Sequence, residues 1–345
     1  MTESPVQDLA VGDEVLAMVG TSDPQRGIPL IAKDSLAQRR IATAVAGLPT
    51  SHRIVHGDAR DLGFLESETV HLVVTSPPYW DLKDYPGCDG QLGNVDDYRT
   101  FLSGLEQVWR ECYRVLVKGG RLVIVVGDVC RSRRRHGRHH VVPLHASIRT
   151  QCMDIGFDNL APIFWHKIAN ANYEIQNGSS FLGKPYEPNA VIKNDVEYIL
   201  MQRKPGAYRT PSLQARILSV IGNDEYQAWF RQIWSDVPGA STRKHPAPYP
   251  EELAYRLIRM FSFVGDTVLD PFVGTGTTCV AAATAGRHSI GVELEHGFVE
   301  IAVRRCAQEG LHLVDTPGGI SHQQSMFGSE ALGEGECQWR QATHS

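Results

Sequence analysis

TVLDPFVGTGTTCVAAATA, residues 267–285, is the stretch from which the fold can be read. Thr267 to Leu269 predicts a short strand, and the alanine-rich run Thr277 to Ala285 predicts a helix. Between them lies a glycine turn. Gly274 and Gly276 permit positive φ and close backbone approach. The helix start beyond them offers unpaired N–H groups to a ligand. A dinucleotide fingerprint would carry a third glycine where this chain has Cys279, so the turn suits a nucleoside cofactor without a pyrophosphate. Ser289 to Val292 predicts the next strand. Glu293 ends it, 17 positions past Gly276, about where an acidic side chain holds ribose hydroxyls.

Only two strands follow residue 265, and two strands do not make a stable doubly wound sheet. The others must come from upstream. Val70 to Thr75 (VHLVVT) and Arg121 to Val126 (RLVIVV) are near-continuous apolar runs, as expected of parallel strands buried on both faces. Leu160 to Trp165 is a third candidate, and His52 to Gly57 reads as a short strand ending in a turn. Tyr98 to Leu116 has apolar residues at helical spacing, with Gly119–Gly120 as its stop. Further helices are expected at 34–46, 142–156, 223–234, 250–261 and 297–309, and a further strand at 196–202. The cofactor half is thus last in sequence but central in the sheet, a permuted order.

Thr75-Ser-Pro-Pro-Tyr-Trp80 ends the strand at 70–75. Ligands of open α/β sheets bind beyond the carboxyl ends of strands. Two prolines fix this loop and remove two donors, leaving carbonyls toward whatever binds. Ser76 adds a hydroxyl acceptor, and Tyr79 and Trp80 add flat apolar faces. Acceptors beside an aromatic platform suit an exocyclic amine on a planar ring.

S-P-P-Y, the later D-P-F-x-G-x-G and the permuted order together resemble the beta group of amino-methylating DNA methyltransferases. The resemblance spans roughly residues 52–308. It implies an α/β fold, a permuted Rossmann-like sheet with helices on both faces, plus an irregular target-recognition region. It implies S-adenosylmethionine as cofactor, held by Asp58 and Thr75, by His245 and Pro246, by Asp270, Pro271 and Phe272, by Gly274, Gly276 and Thr277, and by Glu293. Ser76, Pro77, Pro78 and Tyr79 become the catalytic loop. Ser76 Oγ and the Pro77 carbonyl would accept the amine N–H bonds, and Tyr79 would stack on a base flipped out of the duplex. Direct displacement is expected. The chain has no Pro-Cys pair to act as the C5-cytosine nucleophile. Serine at the head of the motif is commoner among the cytosine-N4 enzymes, with adenine N6 as the alternative. Methyltransferases of RNA or of protein glutamine typically carry N-P-P-Y in the reverse motif order, and a non-catalytic DNA-binding module is a more distant reading.

Composition sets the partners. The 345 residues are 42% hydrophobic and 21% charged, an ordinary globular balance. The net charge of -5 means that duplex DNA must be met by a local basic face. That face is expected at Arg131-Ser-Arg-Arg-Arg-His-Gly-Arg-His-His140, where Arg131, Arg133, Arg134, Arg135 and Arg138 would contact phosphates beside Trp80. Base readers are expected in 167–244, with Asn170, Asn172, Gln176, Asn177, Lys184 and Arg203 as candidates. Trp165, Trp229 and Trp234 read as core. The seven cysteines form no C-x-x-C pair, no metal spacing is visible, and no apolar run approaches a membrane span. A reducing cytoplasm fits. The expected organisation is 1–50 of unclear role, 51–166 the catalytic half, 167–244 target recognition, 245–309 the cofactor half and 310–345 a flexible tail. A cognate restriction endonuclease and a homodimer are family expectations that no residue here specifies.

Overall fold

The computed structural model describes residues 11–82, 90–166, 194–239 and 249–314. Three N-terminal helices, α1 (Val11–Met18), α2 (Pro24–Lys33) and α3 (Ser35–Ala46), precede the sheet. Then come β1 (His52–His56), β2 (Val70–Thr75), α4 (Tyr98–Val115) and β3 (Leu116–Val126). A small hairpin follows, β4 (Val129–Arg131) and β5 (His140–Val142), with one helical turn, α5 (Arg133–His136), between its legs. The chain continues through α6 (Leu144–Ile155), β6 (Asp158–Asn159), β7 (Ile163–His166), β8 (Val196–Arg203), α7 (Leu213–Leu218), α8 (Asn223–Trp229) and β9 (Ile233–Trp234). The last described part is α9 (Glu251–Phe261), β10 (Thr267–Asp270), α10 (Thr277–Thr284), β11 (His288–Glu293) and α11 (His296–Gln308).

The sheet order is β1-β11-β10-β2-β3-β8-β7-β9, with β6 beside β8. The first five are mutually parallel, and β8 runs antiparallel to β3. β10, late in the chain, therefore lies between β11 and β2, as the permuted order requires. Each face is covered. Val73, Leu122 and Ile124 face the α4 and α6 layer, where Phe101, Leu105 and Trp109 are fully buried. Leu72, Val74 and Val123 face α9 and α10. Burial on both faces is why these strands read as unbroken apolar runs. Trp165, Trp229 and Trp234 are buried in the second layer.

Several elements differ from the sequence expectation. Gly119 and Gly120 do not stop α4. Leu116 caps the helix and at once begins β3, so both glycines lie inside the strand. A Cβ on Gly119, whose φ is +78°, would stand 2.9 Å from the Ala207 carbonyl oxygen, so the glycine admits the chain that leaves β8. The helix expected over 223–234 ends at Trp229, and the following turn lets β9 join β7 at the sheet edge. The strand expected at 160–165 is β7, and β8 separates it from β3. The N-terminal segment holds two further helices, and α1 to α3 pack on α7 through Val15, Leu16, Ile31, Ile41 and Ile217. The expected base readers Asn170, Asn172, Gln176, Asn177 and Lys184, the pair His245 and Pro246, and nearly all of the expected tail lie outside the described residues. Arg203 is described, and it pairs with Asp158 at 2.7 Å. No helix among the described residues is long and apolar enough to cross a membrane.

Candidate active site at the strand ends

Four adjacent parallel strands deliver their carboxyl ends to one cleft. β1 leads into Gly57 and Asp58, β2 into Ser76, Pro77 and Pro78, β10 into Pro271 and Phe272, and β11 ends on Glu293. Phe298 of α11 adds an apolar wall.

Glu293 is fixed by its backbone neighbours. Gly274 N–H donates to Oε2 at 3.0 Å and Glu295 N–H to Oε1 at 2.9 Å. Each oxygen keeps a lone pair for a further donor. Burial pushes the carboxyl up to about 6, and the two N–H groups only partly offset this. Asp58 is gripped by Arg60, with Nε at 2.9 Å from both oxygens and Nη2 at 2.5 Å from Oδ2. Burial raises its pKa, but the bonds to Arg60 outweigh burial and hold the carboxyl below its ordinary value. Arg60 is a part of the site that the motif reading missed, although it stands two residues from Asp58.

Four residues of the expected cofactor set sit behind the cleft wall. Asp270 is 1% exposed and is a brace, not a lining group. It accepts from Thr75 Oγ1 at 2.7 Å, Phe272 N at 3.0 Å and Tyr249 OH at 3.1 Å, and also from Thr278 Oγ1. Burial pushes its carboxyl up. Thr75 is spent on that bond. Thr277 accepts from Arg305, which in turn reaches Glu251, so it belongs to the junction of α9, α10 and α11. Gly276, with φ +83°, passes close to α11, where a Cβ would meet Cys306 Sγ at 3.3 Å. The sequence reading missed Tyr249 as a member of this brace. It lies in the same His245-Pro-Ala-Pro-Tyr249 run, but nothing in the spacing points its hydroxyl at Asp270.

The acceptor loop is compact. Pro77 and Pro78 are buried, Ser76 is half-buried, and Ser76 Oγ lies 3.4 Å from Tyr79 OH. Tyr79 is 6% exposed and packs near Gly127, so its ring is not an open platform. Trp80 and Arg131 also depart from expectation. Trp80 is 4% exposed, with its indole N–H on the Val95 carbonyl at 2.8 Å and its ring 4.7 Å from that of Tyr98. Arg131 pairs with Asp81 at 2.5 Å and lies 4.3 Å above the Trp80 ring. Neither faces outward for DNA, because each satisfies the other. Arg133, Arg134, Arg135 and Arg138 are exposed.

Residues 70–304 match the family model for the N6/N4 DNA methylases, described as DNA methylase. The chain belongs to that family. Among curated relatives, the type II methyltransferase M.MjaI of Methanocaldococcus jannaschii is 39% identical over 283 residues, 74% of this chain and 90% of that one. M.MthZI of Methanothermobacter thermautotrophicus is 38% identical over 280 residues, 75% of this chain and 77% of that one. Among solved structures, a candidate DNA modification methylase of Thermus thermophilus, TTHA0409, complexed with S-adenosyl-L-methionine, is 51% identical. It superposes with a TM-score of 0.64 over 76% of this chain and 98% of that one. The cytosine-N4-specific PvuII DNA methyltransferase, at 18% identity and a TM-score of 0.55 over 75% of this chain and 88% of that one, shares the fold.

Proposed function

We propose that this DNA methylase transfers a methyl group from S-adenosylmethionine to the exocyclic N4 of a cytosine flipped out of duplex DNA. The observation that carries the reading is a single cleft onto which the S-P-P loop and the strand end bearing Glu293 both open. The residues present fit the cofactor. Phe272 and Phe298 offer apolar surface to an adenine ring, and Glu293 keeps acceptor capacity for ribose hydroxyls. The Thermus relative solved with the same cofactor supports the choice. When bound, the cofactor supplies an electrophilic methyl on its sulfonium. The chain supplies placement. Ser76 Oγ and the Pro77 carbonyl accept the two amine N–H bonds and turn the nitrogen lone pair toward the cofactor side. No residue forms a covalent bond to the base. Incubation with the cofactor and unmethylated duplex DNA, followed by nucleoside mass spectrometry, should show N4-methylcytosine. N6-methyladenine in its place would overturn the base assignment.

Glu293 makes cofactor affinity depend on pH. An ionised carboxylate accepts both ribose hydroxyls, whereas a protonated one must spend an oxygen as a donor. With the pKa raised to about 6, affinity should rise as pH climbs through 6 and fall below it. In Glu293→Gln, calorimetry should find weaker binding and no step between pH 5 and 7.5. A step retained in that variant would assign the titration elsewhere.

The tip of the hairpin is the proposed phosphate contact. Changing Arg133, Arg134, Arg135 and Arg138 to alanine should weaken DNA binding, and its logarithmic salt slope should shrink by about 1 for each arginine that touches a phosphate. An unchanged slope would leave the four as solvated surface charges. Residues 167–244 are the proposed source of sequence readout.

A further inference from the structure

The basic hairpin and the acceptor loop form one mechanical unit. β4 ends on Arg131, whose guanidinium makes a two-pronged contact with Asp81, Nη2 at 2.5 Å and Nε at 3.2 Å, and covers the Trp80 ring. Both partners directly follow Ser76–Tyr79 in the chain. Trp80 has φ +48°, a conformation that is strained for a side-chain-bearing residue and persists only where surroundings impose it. Those surroundings are visible: Arg131 on one side, and Tyr98 and the Val95 carbonyl elsewhere. The far end of the unit is anchored too. Asp128, just before β4, accepts from His145 Nδ1 at 2.6 Å just beyond β5, so both legs of the hairpin are tied at the foot. The His145 ring in turn stacks on Tyr198 of β8 at 3.8 Å. Four exposed arginines stand at the tip, and the pinned Arg131 lies just below them, opposite His140 at the end of the ladder.

We propose that Arg131 and Asp81 are positioning residues, a latch through which phosphate contact at the hairpin tip sets the geometry of the Ser76–Tyr79 acceptor loop. The latch rests on the function proposed above. Arg131 is not among the residues lining the cleft and acts through Asp81 and Trp80. Its loss should therefore lower turnover rather than DNA affinity, whereas losing the tip arginines should lower both.

The test compares full-length Arg131→Ala, Asp81→Ala and the four-arginine tip variant with wild type on unmethylated genomic duplex. The latch variants should lose about 10- to 100-fold in kcat, with dissociation constants for DNA and S-adenosylmethionine within about two-fold of wild type. The tip variant should raise KM for DNA and, because the phosphate contact that sets the loop is gone, also lose kcat at saturating DNA; a wild-type kcat there would overturn the latch. Arg131→Lys should be as slow as Arg131→Ala, because an ammonium cannot form the fork or stack on the indole. The swapped pair Asp81→Arg with Arg131→Asp should recover part of the loss. A loss confined to DNA affinity would make Arg131 an ordinary phosphate ligand and overturn the latch. Hydrogen exchange gives a second readout that needs no activity. DNA should protect the amides of Ser76 and residues 79–82 in wild type, and not in Arg131→Ala at equal DNA occupancy. A wild-type enzyme that methylates nothing would sink the proposed function, while exchange at these amides indifferent to DNA would sink the latch.

Discussion

Ser76→Ala should transfer methyl about 10²- to 10³-fold more slowly than wild type in single turnover, the usual cost of removing one preorganised polar partner from a reacting group. The amine nitrogen is conjugated with its ring and becomes nucleophilic only when its hydrogens are drawn out of that plane. Ser76 Oγ and the Pro77 carbonyl are the acceptors proposed for it. The prolines keep the loop in place when the hydroxyl is gone, so the change removes chemistry without removing structure. Ser76 lies in the loop from β2, whereas Phe272 and Glu293 come from β10 and β11. Affinity for S-adenosylmethionine should accordingly stay within about two-fold of wild type. Tyr79 OH, 3.4 Å from Ser76 Oγ, should orient the hydroxyl, so Tyr79→Phe should lose less than Ser76→Ala. A single-turnover rate for Ser76→Ala equal to wild type would remove Ser76 from the mechanism.

Asp270→Ala should be the most destabilising of these changes, by about 3–5 kcal/mol, since each buried donor left without an acceptor costs about 1–3 kcal/mol. Four donors share Asp270, the hydroxyls of Thr75, Tyr249 and Thr278 and the Phe272 N–H, and because the Tyr249 and Thr278 hydroxyls also bond each other, three are left without an acceptor. The four come from β2, from the start of α9, from α10 and from the turn after β10. The damage therefore spreads across the join between the acceptor half and the cofactor half. Asp270→Asn keeps one carbonyl acceptor and should fall between wild type and alanine. Urea denaturation measures the loss as a lower midpoint at unchanged slope. A midpoint within 0.5 M of wild type would show that Asp270 is not the brace described here.

What could be read from the sequence was what local chemistry dictates. The apolar runs at 70–75 and 121–126 announce strands buried on both faces. S-P-P-Y and D-P-F-x-G-x-G announce strand-end loops, because prolines and glycines constrain the backbone wherever they stand. Chain order then placed the late strands centrally. Long-range partners left no such trace. Whether Asp270 faces a ligand or a ring of hydroxyls depends on Thr75, 195 positions away, and on Tyr249. The arginine run reads as five equivalent charges, yet a hairpin pins Arg131 to Asp81 and leaves the other four free of that constraint. Gly119 and Gly120 looked like a helix stop because their role is set by the crossing chain at Ala207 rather than by their neighbours. The helix Pro24–Lys33 was hidden by Pro29 in its interior, a residue that argues against a helix in isolation.

The sheet order has a consequence for how the molecule is made. β10 lies between β2 and β11, and β11 in turn pairs with β1. During synthesis β1 and β2 emerge early, yet β2 cannot pair with β10 until the chain has passed Asp270, nor β1 with β11 until it has passed Glu293. For most of translation the nascent protein carries two apolar strand edges, Ile54–Val55 and Leu72–Val74, each waiting for a partner about 200 residues downstream. Such long-range pairing folds slowly and leaves unpaired edges open to aggregation. The last described residues then cover the outer edge of β1. His52 N–H donates to the His312 carbonyl at 2.9 Å, and Val314 N–H to the His52 carbonyl at 2.9 Å. A ribosome that stalls before residue 267 releases a chain with its central gap open, so the sheet closes late in the life of the chain.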